Sequence, residues 1–252
     1  MARYKRILLK LSGEAIAKKN PDGSVGEIFD EHIISGITDA VAELIRKGTQ
    51  VAIVIGAGNI WRGAYGKGLK RARADQMGML GTMINCLRLE DAFEKSGIEA
   101  RVMSPIAMNS FAEPYDFRKA AERLDSGGVV IFGCGTGMPF VTTDTTVVVR
   151  AAEIDADIIM MAKNIDGVYE KDPRGPDGKI DPSVKRFRVI SYDECLKRDL
   201  KATDTYATSL AKDRNIDMYI FALSEPGNII RAAEGQEIGT LVTCADVEPS
   251  VY

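Results

Sequence analysis

Short apolar runs alternate with helical patterns along almost the whole sequence. Three of these runs, at residues 51–55, 128–133 and 156–162, show no regular alternation of apolar and polar side chains. Strands of this kind are buried on both faces, which is typical of a parallel sheet covered by helices on each side. The pattern therefore predicts an α/β fold, a three-layer αβα sandwich around a mainly parallel central sheet. In that architecture, ligands bind at the carboxyl ends of the strands.

The length of 252 residues suits one large domain or two small ones. Because the β-α pattern continues through the chain, we expect a single domain over residues 1–252. We expect an N-terminal lobe over about residues 1–160 and a C-terminal lobe over about residues 161–252. Helical spacing is clear at residues 30–47 and 72–95.

Composition argues against several classes of protein. The hydrophobic fraction of 45% is ordinary for a globular protein, and the net charge of −3 argues against a nucleic-acid partner. No apolar run is long enough to span a bilayer, and the first 13 residues are too short and lysine-broken for a signal peptide. We therefore expect a cytoplasmic protein with no membrane partner. The four cysteines form no CxxC pair and there is one histidine, which argues against zinc sites, disulfide frameworks and histidine-based triads.

Two predicted strands end in loops that suit anion binding. In LLKLSG, Lys10 lies inside an apolar strand, and Ser12 and Gly13 begin the loop. A buried ammonium is costly unless it reaches an anion or a wet cleft, and the alternative is an edge strand from which Lys10 extends into solvent. In VIGAGNIWRG, Gly56 begins a glycine loop and Arg62 offers a guanidinium for phosphate oxygens. The alternative there is a tight turn with a surface arginine.

The loop GCGTGMPFVTTD follows a third predicted strand, at residues 133–144. Its glycines permit close approach of the backbone to a ligand, and its threonines add hydroxyl donors. The loop contains no lysine, and GxxxxGK[ST] occurs nowhere in the sequence, so the pattern excludes a P-loop kinase. Asp144 stands where a helix begins, and it either caps that helix or holds a lysine or a magnesium ion beside phosphates.

A fourth loop, AKNIDGVYEKDP, combines a cation, an aromatic ring and a carboxylate at Lys163, Tyr169 and Asp172. This combination suits a nucleoside with phosphates, whereas the alternative is a solvated loop. Four such loops at the strand ends of one sheet favour phosphoryl transfer. Cations from separate loops, together with Mg²⁺, would then neutralise the phosphates in place of the P-loop lysine.

Six segments resemble bacterial UMP kinases, in order and across nearly the whole chain: KRILLKLSGEA, VIGAGNIWRG, ADQMGMLGTMINCLRLEDA, GTGMPFVTTD, AKNIDGVYEKDP and GTLV. These enzymes have the amino-acid kinase (carbamate-kinase-like) fold. ADQMGML and GTGMPFVTTD resemble the uridylate kinases specifically. The resemblance implies reversible transfer of the ATP γ-phosphoryl group to UMP with Mg²⁺, giving ADP and UDP in pyrimidine nucleotide biosynthesis. It also implies a homohexamer that GTP activates and UTP inhibits.

The positions that match the family's motifs imply roles for individual residues. Lys10 and Arg62 would stabilise the transferring phosphoryl group, and Asp144 would orient Lys10 or the magnesium shell. Nucleotide phosphates would hold most of the magnesium ligation, with no direct protein ligand. ATP binding is implied for residues in three of the loops: Lys10, Leu11, Ser12, Gly13, Gly58, Arg62, Lys163, Asn164, Tyr169 and Asp172. UMP binding is implied for a second set: Gly56, Ala57, Asp75, Gly135, Thr136, Gly137, Met138, Pro139, Phe140, Val141, Thr142 and Thr143.

Asp75 would accept hydrogen bonds from the ribose hydroxyls of UMP, and Thr136 would lie near the uracil. Two residues depart from the family's usual pattern. Ala57 stands where the family commonly has glycine, so we expect a negative φ there. Met138 stands where the family commonly has asparagine, so we expect uracil recognition to depend more on backbone groups and Thr136.

The predicted helix at residues 72–95 has an apolar face, which suits an interface between subunits, although core packing is expected for most of it: Met77, Leu80, Met83, Ile84 and Leu87. Two other functions stay open. An acyl-phosphate-forming kinase of an amino acid or carbamate would use the same fold, but ADQMGML disfavours it. A non-enzymatic nucleotide storage or sensor protein is disfavoured by the presence of Lys10, Arg62 and Asp144 together.

Overall fold

The structure is a computed structural model that describes residues 3–20, 23–61, 68–173, 181–200 and 203–252. Its strands are β1 (Arg6–Leu11), β2 (Lys18–Lys19), β3 (Val25–Glu27), β4 (Gln50–Ile55), β5 (Ala100–Ser104), β6 (Glu113–Pro114), β7 (Val129–Phe132), β8 (Ile158–Lys163), β9 (Phe187–Ser191), β10 (Met218–Ala222), β11 (Thr240–Thr243) and β12 (Ser250–Val251). Ten of them form one sheet in the order β12-β9-β11-β10-β8-β1-β4-β7-β5-β6, and β2 pairs with β3 in a separate hairpin.

Seven α-helices connect or flank these strands in the described ranges. They are α1 (Glu31–Arg46), α2 (Arg71–Lys95), α3 (Phe117–Asp125), α4 (Thr143–Glu153), α5 (Tyr192–Lys197), α6 (Thr205–Arg214) and α7 (Asn228–Ala233). Several begin at a side chain that accepts from amides of the first turn, as Asp30 does for α1 and Asp116 for α3. Such caps satisfy amides that have no partner inside the helix, and they fix where each helix begins.

The helices cover both faces of the sheet. One core lies between the sheet and α1, α2 and α7, and the other lies between the sheet and α3 to α6. Within β1, Ile7, Leu9 and Leu11 belong to the first core and Leu8 to the second. Because successive strand side chains point to opposite faces, Lys10 lies on the same face as Leu8, toward α4.

β1 lies in the middle of the sheet. It pairs in parallel with β4 and with β8, and Lys10 stands opposite Val54 and Met161. The alternative that Lys10 extends from an edge strand is therefore wrong. Lys163, two residues after Met161 on β8, lies on the same face of the sheet as Lys10. Two lysines from separate motifs thus meet at the carboxyl edge of the sheet, on the side covered by α4.

The predicted three-layer sandwich with a mainly parallel sheet is confirmed, and antiparallel pairing occurs at β10–β11 and β9–β12. The sequence pattern did not predict the β2–β3 hairpin, because its strands are short and wholly exposed and so lack an apolar face.

The apolar face of α2 is divided between the core and the surface. Met83 packs in the core, whereas Met77, Leu80 and Ile84 are exposed, so core packing is wrong for these three. Within the described ranges, none of the helices is long and apolar enough to cross a membrane.

Candidate active site

Two clefts open at the carboxyl edge of the sheet. The larger cleft, of about 600 Å³, lies beyond the ends of β1 and β4 and along the starts of α2 and α4. The smaller cleft, of about 360 Å³, lies beyond the ends of β1 and β8. Lys10, Ser12 and Glu14 line both clefts. The clefts therefore meet at the end of β1, which is where a group could pass between two bound molecules.

One carboxylate joins two lysines at this junction. Asp144 lies in the first turn of α4, with its Oδ1 3.1 Å from Lys10 Nζ and its Oδ2 2.9 Å from Lys163 Nζ. The exposed fractions of these side chains are 9% for Lys10, 15% for Lys163 and 18% for Asp144. Two ammonium groups beside one carboxylate leave a net positive charge, which suits a phosphoryl group in transfer.

Burial and charge act in opposite directions on Asp144. Burial alone would raise its pKa, but attraction to Lys10 and Lys163 outweighs burial and holds the pKa well below the ordinary value of 3.8. For Lys163, burial lowers the pKa from the ordinary value of 10.5, attraction to Asp144 opposes that change, and repulsion from Lys10 adds to it. Asp144 is therefore ionised at neutral pH.

The start of α4 is fixed by a different residue. The Thr142 hydroxyl accepts from the Thr145 amide at 3.1 Å, so Thr142 is the N-cap and the alternative that Asp144 caps the helix is wrong. The carboxylate of Asp144 is consequently left for the two lysines. Thr143 and Thr142 both line the larger cleft, beside the amide end of α4, where the helix dipole favours anions.

The loop after β4 packs directly against the loop after β1. The Gly56 amide donates to the Leu11 carbonyl at 3.0 Å, and a Cβ on Gly13 would lie 2.4 Å from the Gly56 carbonyl oxygen. Gly13 must therefore be glycine for this contact. Gly56, Ala57 and Gly58 line the larger cleft, and Ala57 has no positive φ, as expected. Arg62, predicted to act beside this loop, lies outside the described residues.

A buried amide pair holds the same loop from behind. Asn85 of α2 is fully buried, and its Nδ2 donates to the Gly56 carbonyl at 2.7 Å and to Asn59 Oδ1 at 2.8 Å. Asn59 Nδ2 donates to the Ile28 carbonyl at 2.8 Å. The loop therefore has a fixed conformation even though its glycines provide no side chains, because buried polar groups strongly favour satisfied hydrogen bonds.

The loop after β7 contains several left-handed residues. Cys134, Gly135 and Gly137 have φ values of 57°, 61° and 78°, and Phe140 has 70°. Gly135, Thr136, Met138 and Val141 line the larger cleft. Met138 and Phe140 are 59% and 68% exposed. The loop after β7 therefore borders the larger cleft, and its two bulky apolar side chains are exposed, Met138 at the cleft and Phe140 outside its lining.

Asp75 lies in the first turns of α2 and lines the larger cleft. Its carboxylate pairs with Arg71 at 2.8 Å and accepts from the Phe140 amide at 2.9 Å. The side chain is 13% exposed. Asp75 thus links α2 to the loop after β7 at the larger cleft.

The fourth predicted loop begins at the junction and borders the smaller cleft. Lys163 contacts Asp144 at the junction, and Asn164 and Asp172 line the smaller cleft. The Tyr169 hydroxyl donates to Asp166 at 2.8 Å, and Tyr169 also forms a bridge with Arg186. The loop is therefore not merely solvated, since its first residue reaches the centre of the site.

The sequence model of the amino acid kinase family matches residues 5–222. The chain belongs to the amino acid kinase family. That span includes both clefts and the lysine–carboxylate junction.

Solved structures of family members agree with this assignment. A UMP kinase from Bacillus anthracis is 37% identical, with a TM-score of 0.89 and 99% of each chain covered. A UMP kinase from Ureaplasma parvum is 34% identical, with a TM-score of 0.86 and coverage of 96% of this chain and 99% of that one. A uridylate kinase from Archaeoglobus fulgidus is 25% identical, with a TM-score of 0.72 and coverage of 96% and 100%. The predicted resemblance to bacterial UMP kinases is confirmed.

Two acidic residues that line the clefts of this protein were not predicted from the sequence. Glu14 lines both clefts, and Asp204 lines the larger one. Asp204 caps α6 through the Ala207 amide at 2.8 Å and also accepts from the hydroxyls of Thr142 and Thr145. The available signal was the position of Asp204 directly before a helical pattern, but that signal alone indicates only a cap.

Proposed function

We propose that this protein is a UMP kinase, which reversibly transfers the γ-phosphoryl group of ATP to UMP and gives ADP and UDP in pyrimidine nucleotide biosynthesis. The observation that carries the proposal is the pair of clefts that meet at Lys10, whose ammonium group pairs with Asp144. The named activities of the similar UMP kinase structures support the choice of substrates. No general base is required, because the attacking UMP phosphate is already anionic at neutral pH.

In this proposal UMP occupies the larger cleft and ATP the smaller one. The loop after β7, Gly56, Ala57 and Asp75 would hold UMP. The end of β1 with the loop that follows it, Gly58 and residues of the loop at 163–172 would hold ATP. The division corresponds to an acceptor lobe over about residues 1–160 and an ATP lobe over about residues 161–252. Lys10 and Arg62 would stabilise charge on the transferring group, and Asp144 would orient Lys10.

The geometry of Asp144 adds Lys163 to the centre proposed from the sequence. Both lysines contact one carboxylate, so their ammonium groups are held in place before any nucleotide binds. Electrostatic stabilisation is most effective when the charges need no reorganisation during the reaction. Lys163 would therefore contact ATP phosphates, whereas the other proposed ATP residues Asn164, Tyr169 and Asp172 follow along the loop.

Mg²⁺ would accompany ATP. Among the residues described by the structure, no group of three or more acidic, cysteine or histidine side chains could hold a metal ion. Both Asp144 oxygens contact ammonium groups. This donor set fits an ion whose ligands are mainly phosphate oxygens and water, with Asp144 near its water shell. Bound Mg²⁺ would neutralise phosphate charge.

We also propose a cytoplasmic homohexamer that GTP activates and UTP inhibits, as the resemblance implies. The exposed apolar residues of α2 support an assembly, since Met77, Leu80 and Ile84 form one face of a helix three and four residues apart. The four cysteines form no disulfide, which agrees with a reducing compartment.

One assay tests the function and its alternatives. Purified protein with ATP and Mg²⁺ is offered UMP, CMP, aspartate, glutamate or carbamate in turn, and ADP release is coupled to NADH oxidation. Release with UMP above every other acceptor is expected. Release with an amino acid or carbamate alone would instead support an acyl-phosphate-forming kinase. Nucleotide binding without release for any acceptor would support a storage or sensor protein.

A further inference from the structure

A buried arginine lies directly behind the loop after β7. The Arg150 side chain, on the last turns of α4, is 4% exposed and pairs with Glu153 at 2.7 Å. Its Nη2 donates to the Gly135 carbonyl at 3.0 Å. Its guanidinium carbon stands 3.6 Å from the centre of the Tyr115 ring, and the Tyr115 hydroxyl donates to Glu153. Arg150 is therefore fixed on three sides, by a carboxylate, a ring and a carbonyl.

The carbonyl that Arg150 holds belongs to a strained turn. Cys134 and Gly135 both have left-handed φ values, which non-glycine residues such as Cys134 rarely adopt. Such a conformation persists when surrounding contacts stabilise it. Arg150 provides one such contact, and the Gly137 amide provides another by donating to the Cys134 carbonyl at 2.9 Å.

Fixing this carbonyl also fixes the next amide. The described peptide bonds are all trans, so the Gly135 carbonyl and the Thr136 amide of the same planar unit point in opposite directions. The carbonyl accepts from Arg150, which does not line the larger cleft, whereas Thr136 does line it. The Thr136 amide has no acceptor within the described part of the chain. A ligand atom in the cleft can supply that acceptor.

We infer that Arg150 is a positioning residue for the acceptor nucleotide: through the Gly135 carbonyl it directs the Thr136 amide toward a carbonyl oxygen of the pyrimidine base. This inference rests on the proposed function. Arg150 lines neither cleft, so it would act through the loop. Its role is in recognition of the base and is independent of the charge at the Lys10–Asp144 junction.

A merely structural role predicts a different pattern of binding. If Arg150 only stabilised the fold, its loss would weaken every ligand of the larger cleft alike. If Arg150 orients one amide toward the base, its loss weakens the binding of UMP. Binding of ribose 5-phosphate, which lacks the base, is then unaffected. The chain also offers a matched control. Arg6 is buried, pairs with Asp125 and donates to the Ile154 carbonyl, but it lies at the amino end of β1, away from both clefts.

The experiment measures dissociation constants of UMP, ribose 5-phosphate and ATP by calorimetry, each ligand alone, for wild type, Arg150→Met and Arg6→Met. We expect Arg150→Met to raise the dissociation constant of UMP about tenfold, as for loss of one well-oriented hydrogen bond. The dissociation constants of the other two ligands should change less than about twofold. Arg6→Met is expected to change all three less than about twofold. In turnover, Arg150→Met should raise the UMP KM and leave kcat within about threefold.

Equal weakening of UMP and ribose 5-phosphate, or unchanged UMP affinity, would overturn the inference. Should Arg150→Met fail to fold, Arg150→Lys is judged by the same criteria, because a single ammonium cannot reproduce the fork that contacts both Glu153 and Gly135. Absence of UMP binding by the wild type would overturn the proposed function itself. Normal wild-type binding with an unaltered Arg150 variant would overturn only the positioning role.

Discussion

The substitution Asp144→Asn tests directly the charge arrangement where the two clefts meet. The substitution keeps the size of the side chain and leaves the cap of α4 intact, because Thr142 makes that cap. It removes the negative charge that Lys10 and Lys163 share. Two largely buried ammonium groups would then face each other without their shared counter-charge. We expect both the stability of the fold and the rate of transfer to fall.

The structure sets the size of the effect. Ammonium groups on different oxygens of one carboxylate lie roughly 6 Å apart, and at an effective dielectric of ~20 they repel by about 3 kcal/mol. Removing one partner of a buried ion pair usually costs about 3–5 kcal/mol, so a loss of about 3 kcal/mol in unfolding free energy is expected. Misplacement of Lys10 should lower kcat at least about a hundredfold, or about 2.7 kcal/mol of activation free energy.

The assay pairs denaturant unfolding with coupled kinetics at saturating UMP and ATP. The control is Asp125→Asn, which removes a carboxylate that pairs with Arg6 at the opposite end of β1 and is 58% exposed. Asp125→Asn should lower the free energy of unfolding by less than about 1 kcal/mol and leave kcat unchanged. The double variant Asp144→Asn/Lys163→Met should recover about 1–2 kcal/mol of the lost stability, since only one ammonium remains, and should stay inactive.

Two results would refute this reasoning. One is an Asp144→Asn protein whose unfolding free energy lies within about 0.5 kcal/mol of wild type, the usual range for surface changes. The other is a kcat above one tenth of the wild-type value. A double variant less stable than Asp144→Asn would show that Lys163 stabilises the fold by packing, and that repulsion between the ammonium groups is small.

Three further predictions follow from other parts of the site. Asp75→Ala should raise the UMP KM far more than the ATP KM, and equal increases would contradict a contact with the UMP ribose. Arg62→Ala, chosen from the sequence alone, should lower kcat at least about a hundredfold with normal unfolding free energy, and near-normal kcat would exclude it from the transferring group. The pKa of Asp144 is depressed on folding, so its contribution is complete above the ordinary value of 3.8 and is lost as pH falls below it. The difference in unfolding free energy between wild type and Asp144→Asn should therefore shrink below about pH 4, and a constant difference would contradict the depressed pKa.

The layered fold could be predicted because its signal is repeated. The long buried strands are apolar runs, and most helices have a capping residue or an apolar period, so these elements all indicate the same architecture. The position of β1 within the sheet could not be predicted from the sequence. An isolated apolar strand with one lysine fits an edge or a centre equally well. Only the pairing of β1 with both β4 and β8 decides in favour of the centre.

The candidate site was predictable loop by loop but not as a set of contacts. Lys10, Asp144 and Lys163 were each visible at a strand end or helix start, yet their meeting depends on the parity of residues along β1 and β8. Asp204 was not predicted as a site residue, because an aspartate directly before a helix is already explained by its role as the cap of α6. Arg150 was hidden because an arginine within a helix usually reaches solvent, whereas here it is buried behind Gly135.

The contact between Gly13 and the Gly56 carbonyl sets the spacing of two loops, the one after β1 and the one after β4, and both glycines line the larger cleft. A single added carbon on Gly13 would come within 2.4 Å of the Gly56 oxygen. A larger residue at position 13 must therefore push the two loops apart by about the length of a bond, and a displacement of ~1 Å between reacting groups can cost about a hundredfold in rate. The lack of a side chain on Gly13 is thus a requirement on the shape of the cleft.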